Sequence, residues 1–192
     1  MGKIPSCTEA KDILLQYNAD VFHLKHAETV SGVLGWFARK YDPDMEEYYA
    51  AVGMLHDVDL EACPGEHCTG CYELLRNHDI DEAFIDAVAS HGYDVVQFDV
   101  APKTYMEKVL YAVDELTGLI GAAALMRPSK SVSDITYKSV IKKFKSPSFA
   151  VGVSREIIQT GADMMEVSLQ QLIEDTIVAM QNLLPVDQLE EG

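Results

Sequence analysis

Apolar residues recur every three or four positions through nearly the whole chain, and this period restricts the fold more than any single motif does. Between about Asp20 and Tyr41, the residues Val21, Leu24, Val30, Val33, Leu34, Phe37 and Ala38 keep helical spacing, and His23 and His26 share a face with Val30 and Val33. Start and stop signals divide the rest of the chain into similar segments. Ser6 with Glu9 is a capping box for a first helix over Ile13, Leu14 and Tyr17, and Asp42-Pro43 opens a third whose apolar end delivers His56-Asp57. His67 and Cys71, one turn apart, begin a fourth through Leu74 and Leu75. Asp79 with Glu82 caps a fifth that ends at His91-Gly92, with Gly92 as a left-handed cap. Pro102 opens a sixth helix carrying Met106, Val109, Leu110, Val113, Asp114, Gly118 and Gly121. Ser133 and Ser154 start further helices, Gly161 ends one, and Ser168 with Gln171 caps a last one through Leu172, Ile173, Ile177 and Met180. The valine-containing stretch 95–100 is the one plausible strand; with no partner strand it reads as loop. The predicted class is all-α.

At 192 residues the chain is long enough to bury a full core as one domain. It carries 15 basic against 31 acidic residues, a formal charge of -16. Such a surface repels nucleic-acid backbones and anionic membranes, so a phosphate-bearing ligand must be drawn in by local positive charge or by bound metal. No apolar run reaches membrane-spanning length, and Met1-Gly2-Lys3-Ile4-Pro5 lacks the apolar core of a signal peptide, so the expected location is cytoplasmic. Of four cysteines, three crowd between Cys63 and Cys71, unlike a secreted disulfide framework.

In chain order the inward-facing ligand candidates are His26, His56-Asp57, His67, His91 and Asp114, on separate predicted helices or their ends. A carboxylate such as Asp114 among apolar and small neighbours needs a cation. Imidazole and carboxylate donors together suit zinc, manganese, iron or nickel. In this order the chain resembles the HD superfamily of metal-dependent phosphohydrolases, whose signature of a His, a later His-Asp pair and a distal Asp is matched by His26, His56, Asp57 and Asp114. His67 in Gly65-Glu66-His67-Cys68 and His91 in Ser90-His91-Gly92 are counterparts of the additional histidines of the binuclear branch. The run from Lys108 through Asp114 to Gly118, followed by Arg127-Pro128-Ser129-Lys130, is similar to that of short, stand-alone predicted HD hydrolases of bacteria.

This resemblance implies an HD-domain helical bundle with a metal-binding core over about 20–120 and a C-terminal helical extension over about 127–190. It also implies one or two divalent transition metals and hydrolysis of a small nucleotide-like phosphoester or phosphoanhydride. Asp57 is then both bridging ligand and catalytic residue. HD-type di-iron oxygenases share the same ligand order, and a non-catalytic metal or nucleotide-binding module is a third reading.

Other residues have plainer or competing accounts. His23 and His78 are expected to be structural, and Asp59 and Glu61 either pass protons or are solvated loop acids. Cys63, His67, Cys68 and Cys71 have a spacing that superficially suits a structural zinc knot. Residues 127–145 hold six basic residues against Asp134 alone, and Arg127 and Lys130 are candidate phosphate-binding groups. A straight sixth helix, however, puts Arg127 about 20 Å from Asp114, so a loop folding back or a second copy of the chain would be needed. Tyr48-Tyr49 and the apolar last helix suit a homodimer face or simple core packing.

Overall fold

The computed structural model describes residues 2–94 and 100–183. The loop reading of 95–100 falls on residues 95–99, outside those described. Among the described residues there are nine α-helices and no sheet; the one pairing of extended backbone is a single bridge between Lys3 and Ile80. No described helix is long and apolar enough to cross a membrane. The chain divides into two compact units, 1–111 and 112–192.

The first unit contains α1 (Cys7–Tyr17), α2 (Val21–Tyr41), α3 (Glu46–Leu55), α4 (Cys71–Arg76), α5 (Glu82–Ala89) and the beginning of α6 (Tyr105–Leu125). Ser6 and Glu9 form the expected capping box of α1, and the Asp20 carboxylate accepts from the backbone N–H groups of Phe22 and His23 at the start of α2. Helix α3 packs against α1 and α2. Gly53 permits the approach to α2, because a Cβ there would lie 2.9 Å from the Ser31 Cα and 2.9 Å from the Leu34 Cδ1. The core around this contact is Ala27, Val30, Leu34, Phe37, Val52 and Leu55.

Several boundaries differ from the sequence expectation, each for a local reason. Asp42 makes no capping bond: Pro43–Met45 form a 3-10 turn, and the Asp42 carboxylate takes the Tyr49 hydroxyl instead. His67 precedes α4 and is not part of it, because Cys68 has φ 67 and interrupts any helix there. Asp81, rather than Asp79, caps α5, accepting from Ala83 N–H, while Asp79 is left-handed with φ 57. Gly92 is not a left-handed cap; α5 tightens into a 3-10 turn, Ser90–Gly92, that carries His91. Pro102 stands ahead of α6, whose start is fixed by Thr104 and Glu107 through reciprocal hydrogen bonds.

The second unit comprises α6 from Ala112 onward, α7 (Tyr137–Phe144), α8 (Arg155–Met164) and α9 (Leu169–Gln181), with α7 and α8 both packed on α9. Ser154 and Ser168 cap α8 and α9 as expected. Thr136, not Ser133, caps α7; Ser133 lies inside a short 3-10 turn, Val132–Asp134. Gly161 does not end a helix but sits within α8, where a Cβ would come 2.5 Å from that of Ala112. It is a close-approach glycine. Arg155 fastens the loop before α8 by donating to the carbonyl oxygens of Ala150 at 2.7 Å, Val153 at 2.6 Å and Phe149.

Candidate metal centre

Four segments of the first unit bring side chains to one point. His26 comes from the second turn of α2, and His56 is the C-cap residue of α3, with Asp57 directly after it. His67 and Cys68 lie in the turns ahead of α4, and His91 in the 3-10 turn after α5. Because α3 ends at Leu55, just before this pair, the two neighbours are released from the roughly 100° divergence of adjacent helical residues. The His56 Nε2 and the Asp57 Oδ2 are 3.1 Å apart. Asn18, at the end of α1, holds the following turn by donating its amide to the Val58 carbonyl at 2.9 Å.

The two oxygens of Asp57 face different partners. Oδ2 lies 3.1 Å from His56 Nε2 and 3.8 Å from His26 Nε2, and these two nitrogens are 3.3 Å from each other. Oδ1 lies 3.5 Å from His67 Nε2 and 3.7 Å from His91 Nε2. Cys68 Sγ is 3.3 Å from His91 Nε2. Among the described residues the groups able to hold a metal ion are therefore His26, His56 and Asp57, and His67, Cys68 and His91. Together they suit one or two divalent transition-metal ions. Ligand atoms held about 2.0–2.3 Å from one ion at tetrahedral angles are about 3.3–3.8 Å apart, and all but the 3.1 Å His56–Asp57 separation fall in that range.

Outer hydrogen bonds fix which nitrogen of each ring faces inward. A carbonyl oxygen only accepts, so His56 Nδ1 donates to Gly53 O at 2.9 Å and His91 Nδ1 donates to Val88 O at 2.7 Å. In the neutral rings both Nε2 lone pairs then point at the Asp57 carboxylate, an arrangement that repels itself unless a cation or a proton stands between. An imidazolium paired with Asp57 would account for one ring. One carboxylate does not neutralise several.

His67 is oriented in the same way by Asp59, whose Oδ1 is 2.9 Å from His67 Nδ1, while its Oδ2 accepts from Cys71 N–H at 2.9 Å. Burial opposes the charged form of His67. The hydrogen bond to Asp59 and the charges of Asp57 and Asp59 outweigh that, and its proton affinity is raised above the ordinary histidine value. Metal binding at His67 would compete with protonation there. His56 is fully buried and Asp57, Cys68 and His91 nearly so, whereas the His26 and His67 side chains are 20% and 32% exposed. Solvent or a ligand therefore approaches the centre past His26 and His67.

Sequence reasoning missed two participants. Asp59 is not a solvated loop acid but a fully buried one that orients His67, and Cys68 joins two of the histidines. Acids spaced two residues apart and a cysteine after a histidine were visible, but their burial was not. Glu61 likewise does not stand free: it accepts from the backbone N–H groups of Ala19 and Asp20 at 3.0 Å each and bonds His23 Nδ1 at 2.9 Å. The four-residue zinc knot does not assemble. The Cys71 thiol contacts the Cys68 carbonyl at 3.3 Å, and burial pushes the Cys71 and Cys63 thiols up, away from thiolate. His78 shares a 3.0 Å hydrogen bond with the Tyr17 hydroxyl, a structural role.

Asp114, Arg127 and Lys130 belong to the second unit. Asp114 is half-buried on α6, and its carbonyl accepts from the Thr117 hydroxyl at 2.9 Å. The Arg127 guanidinium is engaged by Asp134, with Nε 2.9 Å from Oδ2 and Nη2 donating to the carbonyl at 3.0 Å. Lys130 is exposed with φ 50. Arg127, Ser139, Lys142 and Lys143 line a cavity of about 320 Å³ within this unit. Comparison with models of protein families, with curated proteins and with solved structures finds no match.

Proposed function

We propose that the chain is a metal-dependent phosphohydrolase of the HD type, acting in the cytoplasm on a small nucleotide-like phosphoester or phosphoanhydride. The observation that carries this reading is the division of Asp57, one oxygen toward His26 and His56 and the other toward His67 and His91. A carboxylate so placed is suited to bridge two ions. When bound, two such ions bring a water into the range where it ionises near neutral pH and offset the negative charge gathering on phosphate oxygens.

The chain's own residues supply the rest. His56 and His91, buried and pinned through Nδ1, hold the inner side of the centre rigid. His26 and His67 border the open side, where a phosphate would enter. A chain of charge -16 has little other means of attracting an anion there. The resemblance alone assigns Asp114 to the same centre. Arg127, two of whose nitrogens are bound by Asp134, and Lys130 are assigned to phosphate binding by the basic stretch alone.

Elemental analysis of the purified chain, paired with a panel of phosphomonoesters, phosphodiesters and dinucleoside polyphosphates, tests the proposal. Bound transition metal and metal-dependent turnover are expected, and Asp57→Ala should abolish the turnover while circular dichroism stays helical. Turnover that survives Asp57→Ala would overturn the proposal. Iron with oxygen uptake would instead point to the oxygenase reading, and tight nucleotide binding without turnover to a non-catalytic module.

A further inference from the structure

The two halves of the centre do not carry the same donors. One offers His26, His56 and an Asp57 oxygen, all nitrogen and oxygen; the other offers His67, His91 and a sulfur. Cys68 is 1% exposed, and its Sγ is 3.3 Å from His91 Nε2. His91 Nδ1 already donates to Val88 O, so in the neutral ring Nε2 accepts, and the Cys68 sulfur lies within reach of the lone pair that an ion would occupy. A sulfur about 2.3 Å and a nitrogen about 2.0 Å from one tetrahedral ion would be about 3.5 Å apart, close to the separation seen. The backbone at Cys68 is left-handed, φ 67, so the chain leaves regular geometry there and the adjacent His67 and Cys68 both reach toward His91.

We propose that Cys68 is a thiolate ligand, so that the centre has two unequal positions: a nitrogen-and-oxygen one at His26, His56 and Asp57, and a sulfur-containing one at His67, Cys68 and His91 that takes a thiophilic ion such as zinc. The inference rests on the metal-centre reading and deepens it. On loading, the S–H bond breaks, a metal–sulfur bond forms, and the proton leaves to solvent. Thiolate favours soft ions, whereas the imidazole and carboxylate set also accepts manganese or iron. A zinc-like ion is therefore favoured over manganese or iron on the sulfur side.

Titration of the metal-free full-length chain with cobalt(II), followed by absorption spectroscopy, tests this without reference to activity. A sulfur-to-cobalt charge-transfer band should rise in the near ultraviolet and saturate at one equivalent. Cys68→Ser should abolish that band while visible cobalt absorption remains, and Cys71→Ser should keep it. Visible cobalt absorption in the wild type without the sulfur band overturns this inference and leaves the metal centre standing. A band that persists in Cys68→Ser also overturns it, and failure to bind cobalt at all removes the metal-centre reading as well. The wild-type titration decides the matter even where the serine variant fails to fold.

Discussion

Asp59 touches no ion in the proposed arrangement, yet it sets the direction of one ligand and the start of α4 together. Both its oxygens accept, one from His67 Nδ1 and one from Cys71 N–H, in a fully buried position. Asp59→Asn keeps the shape but turns one acceptor into a donor, which must then face either the imidazole N–H or the backbone N–H. Loss of an orienting carboxylate behind a ligating histidine costs on the order of 10–100-fold in metal affinity. Competition with a chromophoric chelator should show a loss of that size for Asp59→Asn; unchanged affinity would mean that His67 needs no support. His26, His56, Asp57, His67 and His91 were all legible in the sequence because their residue types and helical positions carry information. The parts contributed by Asp59 and Cys68 were not, since an acid after a ligand reads as surface until its burial is known, and the spacing of Cys68 pointed to a zinc knot with Cys63 and Cys71 instead of to His91.

At the scale of elements, Gly53 has the most direct bearing on the centre. It lets α3 lie against α2 at Ser31, and its carbonyl accepts from His56 Nδ1, so the same residue sets the helix spacing and the ring orientation. A Cβ 2.9 Å from a backbone atom cannot be absorbed by rotating a side chain. Gly53→Ala should destabilise the fold by about 1–3 kcal/mol, read from urea denaturation, and weaken metal binding as His56 shifts. The helices themselves were legible because apolar period and serine or aspartate caps are local signals, as at Ser6, Asp20, Ser154 and Ser168. Gly161 was misread because a glycine that ends a helix and one that admits a neighbour look alike until the neighbour is known, and Gly92 because α5 ends in a 3-10 turn instead of a left-handed cap.

Glu61 gives the start of α2 a pH dependence. Hydrogen bonds from Ala19 N–H first, then His23, hold its carboxyl below the ordinary value. The stabilisation is therefore complete above about pH 4.5 and is lost as pH falls through the lowered folded-state value. Glu61→Gln should be less stable than the wild type at neutral pH, with the gap closing as pH falls below the ordinary carboxyl range. A gap that stays constant with pH would remove Glu61 from this role.

For the whole molecule, a formal charge of -16 opposes compaction, and the ligand cluster adds a carboxylate with several imidazole lone pairs directed at it. Divalent ions relieve both. Any ion that binds the folded chain and not the unfolded one stabilises it by mass action, about 2.7 kcal/mol at a free concentration one hundred times Kd. For a chain of this length each kcal/mol moves Tm by roughly 2–4 °C, so saturating zinc or manganese should raise Tm by roughly 5–10 °C over the chelator-treated protein. The rise should be reversed by chelator and clearly smaller in Asp57→Ala, which removes the carboxylate that faces both ligand sets. Calorimetric scans of wild type and variant, each with chelator and with metal, separate this from a general effect of neutralising surface acids, which would raise both proteins alike. Equal shifts in the two would mean that the ions act on the acidic surface, and that Asp57 with its surrounding histidines is held together by protons instead of metal.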